Sequence, residues 1–130
     1  MQAVTGTWRL VRATAKDAEG RVLPPPYGGH GMGRVVLAPD GRMMAVLCDG
    51  RRELPAGVTR EYSSYCGNYT FDGVRLVTRV DAASDPSRVG SDQVREVRFE
   101  DGLMVLRPPL RGYGSGVEQR ELYWERVAEV

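Results

Sequence analysis

Hydrophobic and polar positions alternate along this chain in short stretches, each bounded by turn-forming residues. That period places successive side chains on opposite faces, as in a half-buried strand. It predicts strands over residues 8–14, 35–38, 43–48, 65–71, 75–81, 93–99, 103–107 and 118–127. Between them stand Pro39-Asp40-Gly41, Asp72-Gly73 and Asp101-Gly102, where glycine supplies the positive φ that tight hairpins need. Residues 49–60, 84–91 and 108–116 read as polar or Gly- and Pro-rich links. The one helix candidate, residues 13–20, is too short and too polar to stand as a helix. Eight strands joined by hairpins predict an all-β fold, an antiparallel up-and-down barrel, with residues 1–130 as one domain. Closure also removes exposed strand edges. An open sheet or a sandwich is the structural alternative.

One anchor per strand assigns the faces. Trp8 pointing inward takes Leu10 and Arg12 with it. Trp124 and Arg126 take Leu122 and Arg120. Tyr65, Gly67, Tyr69 and Phe71 share the aromatic face of the fourth strand, and Phe99 brings Gln93, Arg95 and Val97 inward on the sixth. Leu103 and Val105 line the seventh. On the second strand Val35 and Leu37 alternate with Val36, and both faces are apolar.

The expected lumen is therefore mostly apolar, with Arg12, Tyr65, Tyr69, Gln93, Arg95 and Arg120 as polar intrusions. An unpaired buried arginine or glutamine costs several kcal/mol. Either these groups sit at a wet rim or pair with Glu118, Glu121 or Asp81, or they line a ligand cavity and orient a polar end of its occupant. The long loop over residues 23–33 falls across one mouth, where Tyr27, His30 and Met32 between glycines form a lid. His30 is the only histidine, and it reads either as an exposed loop residue or as an acid–base group over the mouth.

Composition narrows the choice further. With 18 basic and 17 acidic residues, a net charge of +1 and scattered arginines, nothing favours nucleic acid or a membrane surface as partner. No stretch approaches a membrane span, and the start has no leader pattern, so a cytoplasmic setting with Cys48 and Cys66 reduced is expected. The two cysteines and His30 lack metal-site spacing, and no cofactor motif or nucleophile signature occurs. A homodimer stays open.

Several segments carry a resemblance. Gly6-Thr7-Trp8-Arg9-Leu10 resembles the Gly-x-Trp entry of the lipocalin and fatty-acid-binding-protein group. Leu122-Tyr123-Trp124-Glu125-Arg126-Val127 is similar to the closing strand of the bacterial and fungal lipocalin-like domain family, a calycin-type barrel. Pro24-Pro25-Pro26-Tyr27-Gly28, Pro39-Asp40-Gly41-Arg42-Met43, Tyr65-Cys66-Gly67-Asn68-Tyr69 and Val89-Gly90-Ser91-Asp92-Gln93-Val94-Arg95 follow that family's segments in order. The resemblance implies a lipocalin-like barrel in which Arg126 packs over Trp8 and plugs one end. Where relatives often carry His on the fifth strand, this chain has Thr78-Arg79, so a histidine-dependent role there does not carry over.

Such barrels host carriers and enzymes alike. The polar cluster and the cytoplasmic setting favour a cofactor-independent isomerase, cyclase or dehydratase acting on a small hydrophobic metabolite of polyketide or terpenoid type. Tyr65 or Tyr69 would be the acid or hydrogen-bond donor, Arg95 would stabilise an enolate or carboxylate, and His30 would shuttle a proton. Tyr27, Arg12, Gln93, Arg120, Met32 and Phe99 would contact the ligand. The alternative is a carrier or sensor of a lipophilic carboxylate such as a fatty acid, held by Arg95, Arg120 and Tyr69. A third reading is a partner-binding module with a filled lumen.

Overall fold

Alternation closes the sheet on itself. In the computed structural model, which describes residues 3–113 and 116–129, nine antiparallel strands run in chain order: β1 (Gly6–Lys16), β2 (Gly31–Leu37), β3 (Arg42–Asp49), β4 (Tyr62–Phe71), β5 (Arg75–Ala83), β6 (Asp92–Glu100), β7 (Leu103–Arg107), β8 (Arg111–Gly112) and β9 (Val117–Ala128). Each of β1 to β7 pairs with the next, β7 pairs with β9, and β9 returns to β1, so eight strands close a barrel. The two-residue β8 pairs with the start of β9, within the link that the sequence left unstructured. The described residues contain no α-helix, only 3₁₀ turns at Tyr27–Gly29 and Pro86–Arg88. The stretch over residues 13–20 continues β1 to Lys16 and then turns.

The tight turns set the register. At Asp101-Gly102 both residues have positive φ (52° and 79°), the twist that matches the flanking strands. That turn pairs Glu100 with Leu103 and Phe99 with Met104. Directly opposed residues share a face, so the inward Phe99 brings Met104 and Leu106 inward, not Leu103 and Val105 as expected. Val105 is fully buried, but on the outer face between Arg98 and Tyr123. Leu103–Arg107 is almost continuously apolar, so alternation alone does not reveal its parity.

A second correction concerns Arg12. The pairing of β1 with β9 shifts at Val11: Leu10 opposes Trp124, but Arg12 opposes Tyr123. This bulge flips the parity of the strand, as an extra residue must. Ala13 and Ala15 continue the inward face, and Arg12 lies outside with its guanidinium 3.9 Å from the Tyr123 ring centroid.

Trp8, Leu37, Met43, Leu76, Met104 and Trp124 form the centre of the core. At one end Arg126 lies 4.4 Å from the Trp8 ring centroid, and its Nη2 donates to the Ala3 carbonyl at 2.8 Å. Trp8 Nε1 donates to the Val4 carbonyl at 2.9 Å, so the chain start and the last strand together seal this end. The opposite end carries the polar groups.

Candidate functional site

Leu47, Tyr65, Arg95, Leu122 and Trp124 converge toward the open end of the barrel because each stands on the inward face of its strand. They enclose a cavity of about 50 Å³, with Val35, Met43, Ala45 and Leu106 completing its apolar floor. That volume admits a few water molecules. The mouth is built from loops: Tyr27 from the first long loop, Arg88 from the link after β5, and Arg111 and Tyr113 from the link before β9.

Arg95 is the central feature. It is 8% exposed, and among the described residues no carboxylate pairs with it. Its Nη1 donates to the Val94 carbonyl at 2.9 Å and its Nη2 reaches Gln93 Oε1 at 3.4 Å. Arg88 Nη2 donates to the same Gln93 oxygen at 2.7 Å, and Gln93 Nε2 in turn donates to Ser91 Oγ at 2.9 Å. Gln93 therefore stands behind two guanidinium groups and draws them together.

The 3₁₀ turn that carries Arg88 is fixed by Asp85, whose carboxylate accepts from the Ser87 N–H at 3.1 Å. Arg88 Nη1 donates to Ser63 Oγ at 3.0 Å, and its guanidinium lies 4.4 Å from the Tyr65 ring centroid. Burial lowers its pKa, the Tyr65 hydroxyl opposes this, and the nearby Arg95 and Arg111 charges add to the lowering. Like charges are thus held close at one mouth, and the Asp85 carboxylate, which counters them at Arg88, forms no ion pair with it among the described residues.

Arg120 differs. It is 6% exposed, but its Nη1 donates to Glu61 Oε2 at 2.6 Å and its Nε to Glu118 Oε1 at 3.2 Å. Burial alone would lower its pKa; the Glu61 carboxylate outweighs this and raises it. Both glutamates face an outer cleft of about 420 Å³, and none lines the inner cavity. Tyr27 and Arg120 line both spaces and form the partition between them.

Tyr27 is buried, with φ at 58°, and its backbone N–H donates to Glu61 Oε1 at 2.9 Å. Burial and then the Glu61 charge push its phenol up to about 12, so the hydroxyl stays protonated and can donate. The next residue must be glycine. Gly28 has φ 63°, and a Cβ there would meet the Arg51 guanidinium at 2.1 Å. Asp49, 2% exposed at the end of β3, clamps that guanidinium, with Arg51 Nη2 at 2.6 Å from Oδ2.

The sequence-derived candidates separate into two groups. Tyr27, Tyr65, Arg95 and Arg120 meet at the cavity, and Gln93 stands directly behind it. Tyr69 is half-buried near the sealed end, where its hydroxyl donates to the Ala38 carbonyl at 2.8 Å. Phe99 packs by Trp8 and Arg126 at that same end. His30 is exposed, and Met32 is 55% exposed on the outer face opposite Cys48. Arg88, Arg111, Tyr113 and Glu61 were missed, because loop residues carry no periodicity that announces where their side chains go.

A closed antiparallel barrel with an apolar, arginine-rimmed cavity at one end belongs to the class that holds small hydrophobic ligands. The chain belongs to the lipocalin-like domain family, whose model matches residues 5–127. Comparison with curated proteins and with solved structures gives no match. No helix among the described residues is long and apolar enough to cross a membrane.

Proposed function

We propose that this barrel binds a small lipophilic carboxylate, with its apolar body in the lumen and its carboxylate on Arg95 and Arg88. The carrying observation is Arg95: a residue over nine-tenths buried that lines the lumen, with no carboxylate partner among the described residues. A buried charge of this kind is costly unless something pairs with it. A ligand carboxylate supplies both the charge and the acceptor oxygens, and a guanidinium fork suits it. The cavity of about 50 Å³ is small beside the ligand, so Tyr27 and the loop arginines swing aside as it enters from the outer cleft.

Carriage or sensing fits this geometry better than an isomerase, cyclase or dehydratase. Of the four groups expected to do chemistry, Tyr65 and Arg95 line the cavity, while Tyr69 and His30 lie elsewhere. That leaves Tyr65 alone, of the three groups expected to move protons, beside the carboxylate-binding arginines. Calorimetric titration of delipidated protein with decanoate and with decanol tests the proposal. Decanoate should bind saturably and at least about tenfold tighter than decanol, and Arg95→Met should erase the difference. Equal binding of acid and alcohol by the unaltered protein would overturn it.

A further inference from the structure

The two tryptophans are equally buried, each 2% exposed, yet their indole N–H groups are treated differently. Trp8 donates to the Val4 carbonyl at 2.9 Å. Trp124 Nε1 is buried with no acceptor among the described residues. Its neighbours across the sheet are Leu10 and Met104, neither of which offers a side-chain oxygen. Trp124 stands on the cavity wall, and so does Arg88, whose Nε is likewise buried without an acceptor.

The wall as a whole is unbalanced. It presents the guanidinium groups of Arg88, Arg95, Arg111 and Arg120 and the Trp124 indole, but no carboxylate and no carboxamide. Side-chain acceptors there are limited to the hydroxyls of Ser63 and three tyrosines, groups that also donate. Buried donors without acceptors are rare in folded proteins, and each calls for a bound group, an ordered water or strain to account for it; the third among the described residues, Arg126 Nε, lies at the sealed end, away from this cavity. The carboxylate assigned above answers the arginines near the mouth. It does not answer Trp124, which stands among apolar side chains on the inward face of β9.

We infer that the ligand carries, on its apolar body and apart from its carboxylate, an oxygen that accepts the Trp124 N–H; its class is an oxygenated lipophilic acid, such as an oxo acid. This rests on the carboxylate reading and adds a second contact to it. A site built around a buried donor disfavours the analogue that lacks the acceptor, because the donor is then left stripped of water and unpaired.

The test compares decanoate with a set of oxodecanoates bearing the ketone at successive positions, using the unaltered protein and Trp124→Phe. Phenylalanine keeps an aromatic ring in the core and removes the N–H. At least one oxo isomer should bind about tenfold tighter than decanoate, and Trp124→Phe should bring that isomer back to the level of decanoate. The Trp124 indole proton resonance of the unaltered protein gives a second readout that does not depend on the variant's folding. It should move downfield with the preferred isomer and much less with decanoate, while the Trp8 indole resonance stays in place. If every oxo acid binds no better than decanoate, or if the preference survives in Trp124→Phe, the inference is overturned and the carboxylate reading stands. If neither decanoate nor any oxo acid binds, both fail together.

Discussion

Arg120 Nη1 donates to Glu61 Oε2 at 2.6 Å, tying the last strand of the barrel to the residue just before β4. The other oxygen of Glu61 takes the Tyr27 N–H at 2.9 Å, so one carboxylate holds both halves of the partition between cavity and cleft. Replacing Glu61 by alanine leaves the buried Arg120 with Glu118 alone and frees the Tyr27 loop. The Glu61 side chain is 38% exposed, which tempers the loss. A destabilisation of about 1–2 kcal/mol is expected, read from urea unfolding. Decanoate should also associate and dissociate faster in stopped-flow mixing, because opening the partition no longer breaks this bridge.

Asp49 gives the barrel an acid limit. Hydrogen bonds from Arg51 hold its carboxyl at about 2, against 3.8 for a free aspartate. A group whose pKa is depressed by folding contributes stability that is complete above its unfolded value and disappears as pH falls through its folded value. The Asp49 contribution is therefore intact above about pH 4 and lost between there and about pH 2. Urea midpoints measured down this range should fall, and Asp49→Asn should flatten part of that fall while leaving the slope above pH 5 unchanged. Because Arg51 packs beneath Gly28, loosening the Tyr27 loop should accompany the same acid transition.

How much of this was legible in the sequence depends on what each residue's position rested on. The barrel rested on strand period and on Asp–Gly turns, which are local, and its sealed end on the family resemblance of the Trp8 and Arg126 segments. Tyr65 and Arg95 were each placed by an aromatic residue four positions away on the same strand, Tyr69 and Phe99, and the pairings run without a shift over Tyr62–Asn68 against β3, over Asp92–Glu96 against β5 and over Glu96–Glu100 against β7. Arg12 was misplaced because one bulge residue, Val11, inverts everything after it, and nothing in Trp8–Thr14 marks it. Met104 was recoverable: the two-residue turn at Asp101-Gly102 forces it opposite Phe99. Glu61, Arg88 and Tyr113 were not, since their place at the mouth follows from where loops of irregular backbone come to rest.

The two ends of the barrel should separate stability from binding. Arg126 stacks on Trp8 and donates to Ala3, at the end opposite the cavity. Arg126→Met keeps part of the aliphatic stem and removes the charge over the ring, a cation–π contact worth about 0.5–2 kcal/mol. It should lower the unfolding free energy by about that amount and leave decanoate affinity within about twofold. Arg95→Met reverses the pattern. It removes a buried guanidinium that lacks a carboxylate partner among the described residues, and replacing such a charge by an apolar side chain of similar length is neutral or stabilising. Urea unfolding should therefore show no loss for Arg95→Met while calorimetry shows decanoate binding weakened at least about tenfold. Were Arg95→Met instead to destabilise the fold as strongly as Arg126→Met and leave binding intact, Arg95 would be a structural group and the cavity would need another anchor for an anion.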